Sequence, residues 1–260
     1  MDHIVLDSKV DNLHVFVLNN REDLGKLSGN MAAEKIKAVM KQKGKVRMIF
    51  AAAPSQNEFL DTLAEVQGID WNNVTVFHMD EYLGLKQDSP QLFSRYVSER
   101  LFDKVKPGTV HLICPNGDSE KECQRYEELL LEEPIDIVCM GIGENGHIAF
   151  NDPPAADFFE YHRVKKVKLD DVCRQQQVHD GCFGHMEDVP THALSLTVPT
   201  LLSADSIFCM VPGKTKQNAV SRTLHNNIST EVPSTVLRIH KNCTMFLDRD
   251  AYGQVEQGKR

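Results

Sequence analysis

Apolar residues recur along the chain in short, nearly continuous runs rich in β-branched and aromatic side chains, a pattern typical of buried strands. Seven such runs occupy residues 13–18, 46–52, 74–79, 110–114, 135–141, 206–211 and 244–247. Between many of them lie segments of helical period, at residues 21–42, 55–66, 119–133 and 213–226. The alternation predicts an α/β fold, a single doubly wound and mostly parallel sheet with helices on both faces, Rossmann-like and three-layered.

One domain accounts for all 260 residues, because no repeat, linker or low-complexity tract interrupts the alternation. Residues 153–190 depart from the regular alternation, and we expect this segment to form a lid or a helical insert over a site. The first twelve residues lack the basic and apolar regions of a signal peptide, and no apolar stretch approaches membrane-spanning length. These features predict a cytoplasmic protein without a membrane partner.

The net charge and the cysteine content narrow the possible classes of protein further. A net charge of −8 without a basic cluster excludes a nucleic-acid footprint. The seven cysteines are widely spaced and contain no CxxC, and several lie in apolar runs. Neither a disulfide framework nor a structural zinc site is expected.

Chemically active side chains follow four of the predicted strands, where ligands bind in open α/β sheets. They are Ser55, Asp80 with Glu81, His147 with Asp152, and Lys216. Taken singly, each has a structural explanation, since carboxylates favour helix N-termini, glycines after a strand make turns, and lysines are commonly solvated. Their occurrence together at strand exits favours a site for a small anionic molecule.

Two segments resemble the signatures of the glucosamine-6-phosphate deaminase (isomerase) family: "FHMDEYLGL" at 77–85 and "GIGENGHIAFNDPP" at 141–154. The later segments "VPTHALSLTVPTLLSAD" and "PGKTKQNAV" are similar to that family in the same order, so the resemblance covers most of the chain. The wider superfamily also holds 6-phosphogluconolactonases and phosphosugar-sensing regulator domains. Both remain alternatives, as a lactone hydrolase and as a non-catalytic sensing module.

The resemblance implies a hydrolase and isomerase of amino sugar metabolism that converts glucosamine 6-phosphate and water to fructose 6-phosphate and ammonia. His147 would open the sugar ring, oriented by Asp152, which is one methylene shorter than the family's usual glutamate. Asp80 would move the proton from C2 to C1, and Glu81 would assist it. Asn145 occupies a position where the family carries Asp or Asn. No metal, nicotinamide or flavin is required.

The same resemblance assigns the residues that would bind substrate. The backbone of Gly143 and Gly146 would approach the sugar. Ser55 replaces the threonine of the family's glycine-rich phosphate loop, which here reads "AAPSQ" at 52–56, and Lys216 falls on the family's phosphate lysine. Arg174 is assigned as the counterpart of the phosphate-binding arginine in the lid. We expect a phosphosugar substrate, its identity left open, and a homo-oligomer.

Overall fold

Eleven strands form two sheets in the computed structural model of the chain, which describes residues 3–253. The strands are β1 (Ile4–Val10), β2 (Leu13–Leu18), β3 (Val46–Phe50), β4 (Val74–His78), β5 (Asp80–Tyr82), β6 (Thr109–His111), β7 (Ile137–Met140), β8 (Val164–Lys168), β9 (His192–Leu196), β10 (Ser206–Val211) and β11 (Cys243–Asp248). The larger sheet has eight strands in the order β1-β2-β11-β10-β7-β3-β4-β6. Every neighbouring pair in it is parallel except β1 with β2, which confirms the predicted fold class.

Nine α-helical segments within residues 3–253 connect or cover these strands. They are α1 (Arg21–Lys43), α2 (Asn57–Glu65), α3 (Phe93–Val97), α4 (Asp103–Val105), α5 (Ser119–Leu131), α6 (Asp171–His179), α7 (Val198–Leu202), α8 (Gln217–His225) and α9 (Arg249–Tyr252). The long α1 is capped at its start by Asn20, whose side chain accepts a hydrogen bond from Asp23 N. At its end it is capped by Gly44, whose φ of 75° is the left-handed conformation that glycine adopts freely. Among the described helices, none combines the length and apolar character that a membrane crossing needs.

The strand residues alternate between two hydrophobic cores, one on each face of the large sheet. On β3, Met48 and Phe50 join the core beneath α1 and α2, whereas Ile49 faces the opposite core with residues of α5 and α8. Burying one such side chain contributes about 1.5–3 kcal/mol, so each face fixes the strand's orientation. The result is three layers, with helices on both sides of the sheet.

A second, three-stranded antiparallel sheet has the order β5-β9-β8 and was not anticipated from the sequence. None of its three strands was among the predicted runs, since β5 has only three residues and three of the five residues of β8 are lysines. This sheet begins directly after β4 and pairs Asp80 with Ser195. It therefore holds the first of the predicted carboxylates on a rigid strand instead of a loop.

The strand order reverses between β3 and β7, which are neighbours in the large sheet. From β3 the chain proceeds through β4 and β6 to one edge, and from β7 it proceeds through β10 and β11 toward the other. In doubly wound sheets, ligands bind in the crevice beyond the carboxyl ends of the strands at such a point. The loops after β3, β4, β7 and β10 meet there.

Candidate active site

A cavity opens at this crevice and is lined by residues from four strand exits and from α6. The polar side chains that line it are Ser55, Gln56, Asp80, His147, Gln176, Gln177 and Lys216, with Gly141 and Gly143 contributing backbone. The sequence placed five of the lining residues at four strand exits: Ser55, Asp80, Gly143, His147 and Lys216. The fold brings these five together around one cavity.

Gly143 makes room for the imidazole of His147. A Cβ atom at position 143 would lie 2.1 Å from Cε1 and 2.3 Å from Nδ1 of that ring, far inside van der Waals contact. The loop is closed by hydrogen bonds from Gly143 N to His147 O (2.9 Å) and from Gly146 N to Gly143 O (3.0 Å). Gly146 does not line the cavity, and its φ of 89° is a turn conformation that favours glycine. The glycines therefore shape the loop around the ring.

His147 is held from behind by Asp152. Its Nδ1 lies 2.9 Å from Asp152 Oδ1, although the ring N–H is not well directed at that oxygen. Asn145 fixes both partners, because its amide donates to Asp152 Oδ1 (2.8 Å) and its Oδ1 accepts from His147 N (2.9 Å). The shorter side chain of aspartate thus reaches the histidine, leaving Nε2 as the free ring nitrogen.

Both partners of this pair are buried, and their charges are coupled. Burial opposes ionisation of Asp152, but the nearby charge of His147 and the hydrogen bonds from Asn145 and Cys173 outweigh it and lower the pKa of the carboxyl. Asp152 is therefore an anion next to the ring. A carboxylate in this position orients an imidazole and stabilises its protonated form.

Asp80 lies in the opposite electrostatic environment. Its side chain is almost entirely buried and forms no hydrogen bond with any residue between 3 and 253. Burial, and to a smaller extent the neighbouring charge of Glu81, raises the pKa of Asp80 to about 8. A carboxyl that faces a cavity with a pKa near neutrality can exchange protons with a bound molecule.

Glu81 does not line the cavity. Its Oε1 accepts from the backbone N–H groups of Tyr82 (3.0 Å) and Phe93 (3.1 Å), and its Oε2 accepts from Ser94 N (2.8 Å). The carboxylate therefore joins β5 to the start of α3. The structure gives Glu81 this tethering position, and its contact with Asp80 is electrostatic, in contrast to the sequence-based expectation of a second catalytic acid.

The far side of the cavity carries the positive charge. Lys216 is 4% exposed and has no acidic group within 4 Å among the described residues. Burial lowers the pKa of Lys216, which the more distant charges of Asp180 and Glu144 partly offset. Ser55 lies in the helical turn Pro54–Gln56 that leads into α2. A cation, a hydroxyl and turn N–H groups together suit an anionic ligand.

Arg174 does not line the cavity, and this corrects the sequence-based assignment of the lid arginine. Its guanidinium donates to the carbonyl oxygens of Met186 (2.8 Å) and Val189 (3.0 Å), so it ties α6 to the segment after it. In its place α6 presents Gln176 and Gln177 to the cavity. Gln176 accepts a hydrogen bond from Glu144 N (2.8 Å), which links α6 to the His147 loop.

Comparison with known proteins identifies relatives of this chain. The family of glucosamine-6-phosphate isomerases/6-phosphogluconolactonase matches residues 19–246. The glucosamine-6-phosphate deaminase of Listeria monocytogenes serotype 4a is 36% identical over 229 residues, 87% of this chain and 95% of that protein. A solved monomeric glucosamine-6-phosphate deaminase superposes with a TM-score of 0.83 at 31% identity, covering 91% of this chain and 98% of that one. The chain belongs to the family of glucosamine-6-phosphate isomerases/6-phosphogluconolactonase.

The glucosamine-6-phosphate isomerase/6-phosphogluconolactonase family holds two kinds of enzyme, and the chain is similar to both in fold. A 6-phosphogluconolactonase from Thermotoga maritima superposes with a TM-score of 0.74, covering 91% of this chain and 99% of that one. Its identity to the chain is 21%, so this likeness concerns the fold alone. The relatives above 30% identity described here carry the deaminase name.

Four polar residues near the site were not identified from the sequence. They are Gln56, Cys173, Gln176 and Gln177. Gln56 donates to Ser55 Oγ (3.0 Å) and to Met210 O (3.3 Å), and so positions the serine. Uncharged amides inside a helix, such as Gln176 and Gln177, carry no sequence signal for a site. Gln56 could have been suggested only by its place shortly after a predicted strand.

Proposed function

We propose that this chain is a glucosamine-6-phosphate deaminase that opens the sugar ring, isomerises the open chain and releases ammonia. The observation that carries the proposal is the pairing across one cavity of a proton shuttle, His147 with Asp152 behind it, and a buried carboxyl, Asp80, without a hydrogen-bond partner among residues 3–253. The deaminase name of the relatives supports the same reaction.

His147 performs ring opening in this proposal. Asp152 holds the Nδ1 side of the imidazole, so Nε2 is the nitrogen available to the ring oxygen and the anomeric hydroxyl of the sugar. The shuttle takes a proton from the hydroxyl at C1 and delivers it to the ring oxygen. An imidazole is suited to this exchange because its usual pKa lies near neutrality, so neither direction of transfer is strongly opposed.

Asp80 then moves the proton from C2 to C1 of the open chain. Its ionised form is the base, and an ammonium group at C2 of the bound sugar would favour that form by lowering the Asp80 pKa from its value of about 8. The protonated carboxyl returns its proton at C1. Water then adds to the imine at C2, and loss of ammonia leaves the ketose phosphate.

The phosphate group is assigned to Lys216, Ser55 and the N–H groups of the Pro54–Gln56 turn. We expect Lys216→Gln to raise KM by about 10- to 100-fold with a smaller effect on kcat, because it removes a buried charge from binding. Lys214→Gln is the matched control, since Lys214 is exposed in the same turn. Steady-state kinetics with both variants measure the difference, and equal KM values would remove Lys216 from the phosphate site.

Ammonia release from a panel of sugars tests the proposed function. The panel contains glucosamine 6-phosphate, galactosamine 6-phosphate and unphosphorylated glucosamine, with 6-phosphogluconolactone hydrolysis followed separately. Ammonia from one amino sugar phosphate, lost in Asp80→Asn and retained in Asp88→Asn, supports a deaminase. Asp88 is an exposed aspartate in the loop between β5 and α3. Lactone hydrolysis without ammonia would replace the deaminase with the lactonase alternative.

The homo-oligomer and the cytoplasmic location stay predictions. A related solved deaminase is described as monomeric, so both assembly states have to be considered for this chain. Light scattering coupled to size-exclusion chromatography distinguishes a monomer of 29.4 kDa from a multiple of that mass.

A further inference from the structure

Three buried side chains of different chemistry converge behind the cavity. They are His147 and Asp152 from the loop after β7, and Cys173 from the first turn of α6. One ligand atom of each, a ring nitrogen of the histidine, a carboxylate oxygen and the cysteine Sγ, lies within 4.8 Å of the other two. The proposed reaction uses the first two residues, but nothing in it requires a thiol at this position.

We propose that His147, Asp152 and Cys173 form a site for one thiophilic divalent cation, Zn²⁺, which inhibits the enzyme when it binds. Nitrogen, oxygen and thiolate sulfur are the donors that zinc takes in proteins, usually in four-coordinate tetrahedral sites. Three protein ligands leave a fourth position for a water molecule. The ion takes no part in the proposed reaction, which uses His147 and Asp152 without a metal.

The distances suit a small tetrahedral ion. Zinc bonds of about 2.0–2.3 Å place the ligand atoms of a tetrahedron roughly 3–4 Å apart. Nδ1 of His147 and Oδ1 of Asp152 are already 2.9 Å apart, and Sγ of Cys173 lies within 4.8 Å of a ligand atom of each residue. The three side chains therefore lie near the spacing that a tetrahedral zinc site needs.

A second observation points to a ligand between these atoms. Nδ1 of His147 is buried and has no well-directed hydrogen-bond partner in residues 3–253, even though a carboxylate oxygen lies close to it. The side chain of His147 is only 10% exposed, so solvent does not compensate for this. An ion at the centre of the cluster would bind this nitrogen together with the Asp152 oxygen that lies 2.9 Å from it.

The charges also balance. A doubly charged cation, the Asp152 carboxylate and a Cys173 thiolate sum to zero, which a buried site tolerates better than two adjacent anions. Without the ion, burial and the nearby carboxylates raise the pKa of the Cys173 thiol, so it stays protonated. Binding therefore forms the sulfur–metal bond and releases the thiol proton to solvent.

Inhibition follows from which atoms the ion occupies. The metal would take Nδ1 of His147 and an oxygen of Asp152, which are the two atoms that orient and stabilise the proton shuttle. The imidazole could then no longer become doubly protonated. Mg²⁺ should not compete, because it prefers oxygen ligands and dehydrates reluctantly.

Metal binding to the full chain tests the proposal without reference to activity. Co²⁺ serves as a spectroscopic probe, since a cysteine ligand gives a thiolate-to-metal absorption band in the near ultraviolet, and Zn²⁺ affinity is measured by competition with a chromophoric chelator. We expect one ion per chain, a Co²⁺ thiolate band that Zn²⁺ removes, and an affinity at least about tenfold weaker in Cys173→Ser. Cys182→Ser is the control, because Cys182 is a half-buried thiol outside the cluster.

Thermal unfolding provides a second readout. A ligand that binds only the folded chain raises Tm, so Zn²⁺ should raise the Tm of the natural chain and of Cys182→Ser but not of Cys173→Ser. If Cys173→Ser does not fold, Cys173→Ala is measured in the same way. Absence of stoichiometric binding, or a thiolate band that survives loss of Cys173, would overturn the proposal. Because neither readout involves ammonia, failure of the deaminase assay leaves this result unaffected.

Discussion

Two aspartates at the candidate site are both buried, yet their environments shift their pKa values in opposite directions. Asp152 lies beside His147 and accepts the amide of Asn145, and these partners lower its pKa in spite of burial. Asp80 has no such partner among the described residues, and burial raises its pKa to about 8. The difference shows that burial alone does not set the protonation state of a carboxyl, and that a polar partner reverses its effect.

The contrast assigns different tasks to one residue type. An anion that remains ionised can orient an imidazole throughout a reaction, whereas a carboxyl near its pKa can accept a proton and return it. The contrast also predicts opposite contributions to stability. Asp152 stabilises the folded chain when it is ionised, and Asp80 destabilises it when it is ionised.

Asp80→Asn should produce the largest change. Loss of a general base is expected to reduce kcat by about 10²- to 10⁴-fold. Because the folded pKa is raised to about 8, the stability of the natural chain falls as pH rises from the unfolded value toward 8. The amide carries no charge, so the variant should be more stable by a few kcal/mol above that pH, at about 1.4 kcal/mol per pKa unit.

Urea unfolding of Asp80→Asn at a series of pH values measures this gain, with Asp88→Asn as the exposed control. The two proteins should differ little at about pH 3, where the unfolded and folded carboxyls are both largely protonated. A variant that is inactive but no more stable at high pH would mean that Asp80 is ionised and paired in the folded chain.

Gly143→Ala tests the histidine side of the contrast. The added Cβ would lie 2.1–2.4 Å from three atoms of the His147 ring, so the imidazole must move away from its position beside Asp152. A displacement of about 1 Å can cost 10²-fold in rate, and we expect a loss of that order in kcat/KM. Gly184→Ala is the matched control, because a Cβ there meets no atom within 4 Å. Equal activity of the two variants would show that the ring position is not critical.

Asp152→Asn should have a smaller effect on rate and the opposite effect on stability. We expect kcat/KM to fall by about 10- to 100-fold, because the neutral amide holds the imidazole less firmly. The carboxylate's lowered pKa means that its contribution to stability is present above the unfolded pKa of about 3.9 and is lost as pH falls through the folded pKa. The variant should therefore be less stable than the natural chain at neutral pH.

The difference in unfolding free energy between Asp152→Asn and the natural chain should shrink as the solution is acidified below pH 4. Denaturant titrations at neutral and acid pH, with Asp88→Asn alongside, measure it. A constant difference at all pH values would mean that packing, and not the charge beside His147, accounts for the effect.

The sequence predicted the large sheet well because its strands are buried on both faces and read as continuous apolar runs. β2, β3, β4 and β10 begin where those runs begin. The edge of the sheet was predicted less well. β6 covers Thr109–His111 instead of 110–114, because Ile113 N donates to His78 Nε2 and leaves the ladder. In the smaller sheet, β8 was missed because three of its five residues are lysines.

The site residues likewise divide into those that the sequence could place and those that it could not. Asp80, His147 and Lys216 could be placed at strand exits from the sequence, since topology fixes where those exits meet. The role of Glu81 depended on which backbone groups its oxygens reach, and that depends on where α3 begins. Cys173 and Arg174 are consecutive residues on α6. No sequence pattern indicates that the arginine turns away from the cavity while the thiol approaches Asp152.

Glu81→Gln should give the smallest effect on the rate, and it tests how much the charge of Glu81 contributes to the raised pKa of Asp80. The charge of Glu81 is the lesser cause of the raised Asp80 pKa, after burial. Its removal should lower that pKa without restoring the usual value, so the acid limb of the pH profile of kcat/KM should move to lower pH by less than about one unit, a shift of under 1.4 kcal/mol. The change in maximal rate should be less than about tenfold.

The same substitution separates charge from tethering. A glutamine oxygen can still accept from some of the three backbone N–H groups that Glu81 binds, but its NH₂ group cannot accept from any, so we expect a loss of about 1–3 kcal/mol in unfolding free energy. Glu65→Gln, at an exposed position at the end of α2, controls for loss of one negative charge. If the pH profile moves equally in both variants, the effect comes from net charge. If stability falls while the profile stays in place, Glu81 acts only as the tether between β5 and α3, and burial alone raises the pKa of Asp80.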